Sequence, residues 1–244
     1  MKIPIITGII RRRFLLNFRV DPDVIARLLP SPFEPKLHNG VGIAGVCLIR
    51  LEGIRPKGSP LSLGIDSENA AHRFAVEWDD DGRTQSGVYV PRRDTDSWLT
   101  HLAGGRIFPG VNHRARFNVH EEGNAVDFSM KSADGEVTIN FRGRSAAELP
   151  PDSVFQSLDK ASKFFEEGAI GYSAKASSSQ YDGMMLRTDR WQVTPFEVDQ
   201  IYSSFFADTS RFPAGSAYFD HGLLMQDIPH EWHSMDDLCA KEAV

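Results

Sequence analysis

The sequence predicts a mainly β protein of the α+β class, an antiparallel sheet with a few short helices packed outside it or closing one end. Apolar residues alternate with a period of two in several stretches, turn signals rich in Gly, Pro and Asp-Gly separate those stretches, and helical spacing is confined to about three short segments. A chain of 244 residues with 41% hydrophobic and 25% charged residues is ordinary for a globular protein. No repeat, low-complexity run or long linker divides it, so residues 1–244 read as a single domain.

Phe14, Leu16, Phe18 and Val20 alternate with Leu15, Asn17 and Arg19 as a strand with one well-buried face requires. A helix follows, with Asp21 as N-cap, Pro22 at its first position, Val24, Ile25, Leu28 and Leu29 as its apolar side, and Pro30 as its stop. Residues 31–42 read as a turn-rich connection, 43–51 as a strand and 53–64 as a loop. Over 71–78, His72, Phe74, Val76 and Trp78 share one face while Arg73 and Glu77 lie on the other with two alanines. An acidic Asp81-Gly82 turn leads to the strand of Val88 and Val90, which Pro91 ends or places at an edge. Asp94 is positioned to cap a short helix closed by Gly104. In the next strand His113, Ala115, Phe117 and Val119 share a face. Residues 125–130 and 136–142 flank Ser132-Ala133-Asp134-Gly135, the clearest hairpin signal in the chain. Asp152 opens a second helix that Gly168 terminates. Residues 173–179 read as a loop and 186–206 as one or two strands. The Phe219-Asp220-His221 step then precedes an irregular C-terminus.

Charge and composition exclude several functions. A net charge of -6 and a pI near 5.7 argue against nucleic acid as a partner. The only basic run, Arg11-Arg12-Arg13, reads as a solvated strand start. No apolar run approaches the roughly 20 residues of a membrane helix, so no membrane partner is expected. The apolar N-terminal residues precede the positive cluster, the reverse of a secretory signal. Cys47 and Cys239 build no disulfide framework, which points to a reducing compartment and a cytoplasmic location, with Cys47 as a buried small hydrophobe. Phosphate loops, serine elbows and zinc-protease helices are missing, and no cofactor is implied.

The polar residues that matter gather between Ser67 and Ala115. Glu68 sits between a glycine-containing loop and an apolar strand, where burial would raise its pKa toward values useful for proton transfer. His72 and His113 travel with the hydrophobic side of their strands and join Glu68 as candidate catalytic residues. Imidazoles on apolar faces can converge on a metal, but a hydrogen-bonded core histidine is the simpler state for each, and no metal site is assigned. Arg92, Arg93 and Arg106 offer planar donors suited to a carboxylate and, with His221, are the candidate substrate-binding residues. No lysine occurs between Lys57 and Lys131.

These residues carry a resemblance. Residues 14–21 followed by Leu28-Leu29-Pro30-Ser31-Pro32-Phe33-Glu34, the Ser67-Glu68-Asn69 step, Gly105-Arg106 with Pro109, and Phe219-Asp220-His221 with Asp227-Ile228-Pro229 resemble the acetoacetate decarboxylase-like superfamily. Residues 67–73, Pro91-Arg92-Arg93-Asp94 and 104–110 with His113 are closer to its bacterial subgroup of conserved proteins of unknown function. The resemblance implies a cone-shaped antiparallel β-barrel enclosing a pocket, with a few short peripheral helices, in a homo-oligomer. It also implies that Glu68 is a pocket glutamate. Decarboxylases of that superfamily form a Schiff base on a lysine. If Pro109 takes the place of the family proline, the two positions after it are Gly110 and Val111, and no imine can form there. The expectation is a pocket protein for a small organic anion, a carboxylate or oxo acid, that is not an acetoacetate decarboxylase. Three readings stay open: a lyase- or isomerase-like enzyme using acid/base chemistry, a non-catalytic ligand carrier or sensor, and an oligomeric scaffold.

Overall fold

Long strands buried on both faces organise this chain, which a computed structural model describes over residues 4–59, 64–102, 110–175 and 180–239. In order the elements are β1 (Ile6–Val20), α1 (Pro22–Leu28), β2 (Glu34–Pro35), β3 (Leu37–His38), β4 (Val41–Pro56), β5 (Ile65–Asp80), β6 (Arg83–Thr95), α2 (Trp98–Leu102), β7 (Asn112–Glu122), β8 (Ala125–Ser132), β9 (Thr138–Ser145), α3 (Leu158–Glu167), β10 (Ile170–Ala174), β11 (Gln180–Thr188), β12 (Thr194–Ser203), α4 (Ser204–Ala207), β13 (Ala217–Ser234) and β14 (Leu238–Cys239). The class is mainly β, with four short helices among the described residues. Pairing is antiparallel except where β6 runs beside β10 and β7. None of these helices is long and apolar enough to cross a membrane.

Strand pairing closes a ring of nine, in the order β6, β7, β8, β9, β12, β13, β1, β4, β5 and back to β6. A second closure uses β11, β13, β1, β4, β5, β6 and β10, because β11 also pairs β13 and β10 also pairs β6. Five strands therefore wall both rings. Since neighbouring side chains on a strand point to opposite faces, alternate residues of that wall enter different interiors. Phe14, Leu16, Val46, Leu48, Ala70 and Leu224 join Phe128, Phe141 and Phe196 in the nine-strand ring. Leu15, Cys47, Ile49, Leu51, Leu223 and Met225 join Met184 and Phe165 on the other side.

Local signals explain most element ends. Asp21 accepts a hydrogen bond from the Asp23 amide as the α1 N-cap, and Ser157 caps α3 through the Lys160 amide. The latter corrects the expectation that Asp152 opens this helix. The Val154 amide and carbonyl are taken by Asp220 and Asn39, so the chain before Ser157 spends its backbone on tertiary partners. Asp94 does not cap α2 either; it is a buried strand residue paired with Arg92, and the Ser97 hydroxyl accepts from the Thr100 amide instead. The stretch after His221 is not irregular over its described residues, for β13 continues to Ser234 and β14 follows. Residues 220–225 of β13 are buried on both faces, which erases the polar alternation by which a strand is recognised. Pro91 neither ends β6 nor marks an edge. It sits in a β-bulge, where Val90 and Pro91 together oppose Arg73.

Candidate functional site

The seven-strand ring encloses a cavity of about 120 Å³, well above the space one water needs. All seven strands reach it. The apolar wall comes from Ile49, Leu51, Val88, Val90, Met184, Leu186, Trp191 and Trp232, with Phe165 of α3 on one side. Into this wall project Arg13 from β1, Arg73 from β5 and Arg93 from β6, together with Cys47 and Asn112.

Each arginine is held without a carboxylate. Arg13 donates from Nε to Cys47 Sγ at 3.1 Å and lies 5.9 Å above the Trp191 ring. Arg73 donates from Nη2 to Asn17 Oδ1 at 2.6 Å and lies 4.9 Å from the Phe165 centroid, while its Nε is buried with no partner among the described residues. Arg93 donates from Nε to Ser173 Oγ at 3.1 Å. Among the described residues no acidic side chain forms an ion pair with any of the three, although surface arginines such as Arg11 and Arg144 each have two. Burial pulls both Arg73 and Arg93 down to about 10, so they remain cations at neutral pH but are poorly compensated ones. Cations so placed in an apolar wall favour entry of an anion.

A polar chain behind the wall orients Arg73. Asp220 accepts from His221 Nδ1 at 2.6 Å, from the Ser153 hydroxyl at 2.8 Å and from the Val154 amide at 3.1 Å. With Nδ1 donating, His221 Nε2 accepts from Asn17 Nδ2 at 3.1 Å, which turns Asn17 Oδ1 toward Arg73. Asn17 and His221 are completely buried.

The residues singled out in the sequence separate into distinct environments. Arg93 reaches the cavity because the bulge at Val90 and Pro91 shifts the phase of β6, bringing it to the same side as Val88 and Val90. The same shift turns Arg92 away, into ion pairs with Asp94, Asp134 and Glu136, and His113 Nδ1 lies 3.2 Å from Asp134 in that cluster. Glu68 is buried but does not line the cavity. Arg12 Nη2 donates to both of its carboxylate oxygens, at 2.8 and 2.9 Å, and Arg50 lies 3.5 Å away. Burial pushes the Glu68 carboxyl up, and both arginines oppose that push. His72 lies on the opposite face of β5 from Arg73, completely buried, with its ring 4.4 Å from that of Phe205 and its pKa brought down to about 3 by burial. His221 acts behind the wall, and Arg106 lies outside the described residues. No cluster of three or more His, Cys, Asp or Glu among the described residues is arranged to hold a metal.

Arg13, Arg73, Cys47, Asn17 and Asn112 are the site residues that sequence reasoning missed. The signal for Arg73 was on the page. It shares its face with two alanines, and small neighbours leave room for a cavity. Arg11, Arg12 and Arg13 differ completely: Arg11 pairs with Glu52 and Asp227 at the surface, Arg12 is buried against Glu68 and Glu121, and Arg13 enters the cavity.

Comparison with known proteins places this geometry. The profile of the DUF2071 family, described as an uncharacterized conserved protein (COG2071), matches residues 10–220. No functionally curated protein matches the sequence. Among solved structures, the acetoacetate decarboxylase of Legionella pneumophila aligns over 95% of this chain and 87% of its own at 14% identity, with a TM-score of 0.56. An acetoacetate decarboxylase-like enzyme from Sphingomonas wittichii RW1 aligns over 98% and 95% at 10% identity, with a TM-score of 0.60. The enduracididine biosynthesis enzyme MppR complexed with pyruvate aligns over 96% and 89% at 10% identity, with a TM-score of 0.58. The fold is thus that of the acetoacetate decarboxylase-like enzymes.

Proposed function

The chain belongs to the DUF2071 family, and from its fold and cavity we propose that it binds a small organic anion, a carboxylate or 2-oxo acid, inside the seven-strand ring. The observation that carries this reading is the trio Arg13, Arg73 and Arg93, three cations in a largely apolar cavity with no acidic partner among the described residues. MppR holding pyruvate on the same fold is consistent with the size of ligand. Arg93 and Arg73 grip the carboxylate, and the aliphatic and indole side chains receive the remainder. His221 is a positioning residue that works through Asn17. Glu68, Arg92, His72 and His113 serve the framework.

The chemistry differs from imine-based decarboxylation. No lysine lines the cavity among the described residues. Gly110 has a φ of 75°, and a Cβ there would lie 2.6 Å from the Ser173 Cβ, so a side chain at this position is excluded by both backbone and space. Val111 is 48% exposed and turns away. The protein therefore recognises an oxo acid without forming a Schiff base. Assembly into a homo-oligomer belongs to the same reading, and light scattering tests it.

Calorimetric titration with pyruvate and acetoacetate, set against acetone as the uncharged comparison, tests the proposal. Binding of the acids and not of acetone is expected, with no borohydride-trapped adduct on residues 58–130 after incubation with acetoacetate. Equal response to acetone, or no response to any small carboxylate, overturns the anion site. A trapped adduct overturns the imine-free reading.

A further inference from the structure

Cys47 is a buried thiol at the centre of the charged side of the cavity. Its sulfur accepts a hydrogen bond from Arg13 Nε at 3.1 Å, and Arg73 and Arg93 line the same cavity. Packing alone does not explain this placement, because a small hydrophobe would gain nothing from three guanidinium neighbours. Two further groups on the cavity wall lack partners among the described residues. Asn112 Nδ2 and Arg73 Nε belong to residues only 6% and 7% exposed, and among the described residues neither atom has a hydrogen-bond acceptor. Buried donors without acceptors mark a place where a ligand oxygen completes the network.

Resting on the anion-binding reading, we propose that Cys47 is the nucleophile of this cavity and adds reversibly to the carbonyl carbon of a bound 2-oxo acid. A sulfur lone pair forms the C–S bond as the carbonyl π bond opens, and its electron pair moves to oxygen. The proton lost by sulfur ends on that oxygen, giving a neutral thiohemiketal with no other reactant. The arginines hold the carboxylate next to the sulfur, converting a bimolecular encounter into a local one. A free donor such as Asn112 Nδ2 suits the oxygen on which charge develops. The thiol thus replaces the amine that the fold's decarboxylases place on lysine. The thiohemiketal, unlike an imine, supplies no electron sink, so this addition captures the ligand without decarboxylating it.

Alkylation by 3-bromopyruvate, compared with uncharged bromoacetone, reads the proposal directly. Peptide mapping follows Cys47, with exposed Cys239 as the internal reference. Bromopyruvate is expected to label Cys47 about tenfold or more faster than bromoacetone does, the gain a cationic cleft gives an anionic partner. Pyruvate should protect Cys47 but not Cys239. In Cys47→Ser, calorimetric pyruvate binding should persist with reduced affinity while the adduct is lost. If pyruvate binds but Cys47 shows no preference for the anionic reagent, or stays unlabelled while Cys239 reacts, the nucleophile is refuted and the binding site stands. If pyruvate neither binds nor protects and no preference is seen, both readings fall together.

Discussion

Replacing Arg73 by Met separates what this residue costs the fold from what it gives the site. Burial takes its guanidinium from the ordinary range down to about 10, which corresponds to roughly 3 kcal/mol held against the charged form at about 1.36 kcal/mol per pH unit. Methionine removes that penalty and keeps the apolar stem beside Phe165. It also leaves Asn17 Oδ1 without its donor, a loss of about 1–3 kcal/mol. The ligand-free variant should therefore be as stable as the parent or more stable by up to about 2 kcal/mol, a melting temperature higher by up to about 4–8 °C for a chain of this size. Binding should move the other way. Losing one charge-assisted contact to a buried carboxylate costs about 2 kcal/mol or more, about thirtyfold or more in affinity. Denaturant titrations with and without pyruvate, together with calorimetry, measure both quantities on one sample. An Arg73→Met protein that loses several kcal/mol in the absence of ligand yet binds pyruvate like the parent would show that the arginine is a structural member with no part in recognition.

Three further substitutions distinguish the framework from the site. Glu68→Gln leaves Arg12 with the half-exposed Glu121 as its ionic partner and should cost about 1–3 kcal/mol while leaving pyruvate affinity unchanged; intact stability with lost affinity would return Glu68 to the ligand. Asn17→Ala breaks the relay at its middle and should weaken binding about tenfold through a misdirected Arg73, the size of loss seen when the hydrogen-bond partner that orients a ligating group is removed. His221→Ala, one step further back, should give a smaller loss of the same kind. An unaltered affinity in the Asn17 variant would rule out orientation through the amide.

The acid limb of stability has a defined sign. His72 is neutral in the folded protein down to about pH 3, whereas an unfolded imidazole takes up its proton near pH 6.5. Stability is therefore complete above about pH 6.5 and is lost as the pH falls toward 3, at about 1.4 kcal/mol per pH unit from this residue. His72→Phe, which keeps an aromatic ring on Phe205, should flatten the slope between about pH 4 and pH 6 by that amount. An identical slope in the two proteins would mean that His72 takes up its proton while folded.

The β class, α1 with its Asp21 cap, the β8 and β9 hairpin and the opposed faces of β5 were legible in the residues, because each rests on a local pattern of one strand or one turn. What escaped was set by tertiary geometry. Alternation gives the phase of His72 against Arg73, but it marks only the face with more hydrophobes as interior, and here both faces are interiors. The bulge that sends Arg92 and Arg93 to opposite sides is invisible without the partner strand. Asp94 and Asp152 are good caps by type, but Asp94 is held by Arg92 and the helix that Asp152 would open begins only at the Ser157 cap. For Arg13, nothing in three consecutive arginines distinguishes a solvated residue from one that enters a cavity, since the distinction is made by Glu68 and Trp191 from distant parts of the chain.

Two interiors that borrow the same five strands cannot be edited independently. A single residue inserted near Arg13 would send guanidinium groups into the Phe-filled barrel and phenyl groups into the arginine-lined chamber, so length changes in the common wall carry a double penalty. Substitutions that respect parity face no such constraint. The greasy barrel acts as a keel, and the chamber beside it is free to exchange one side chain for another without the hull changing shape.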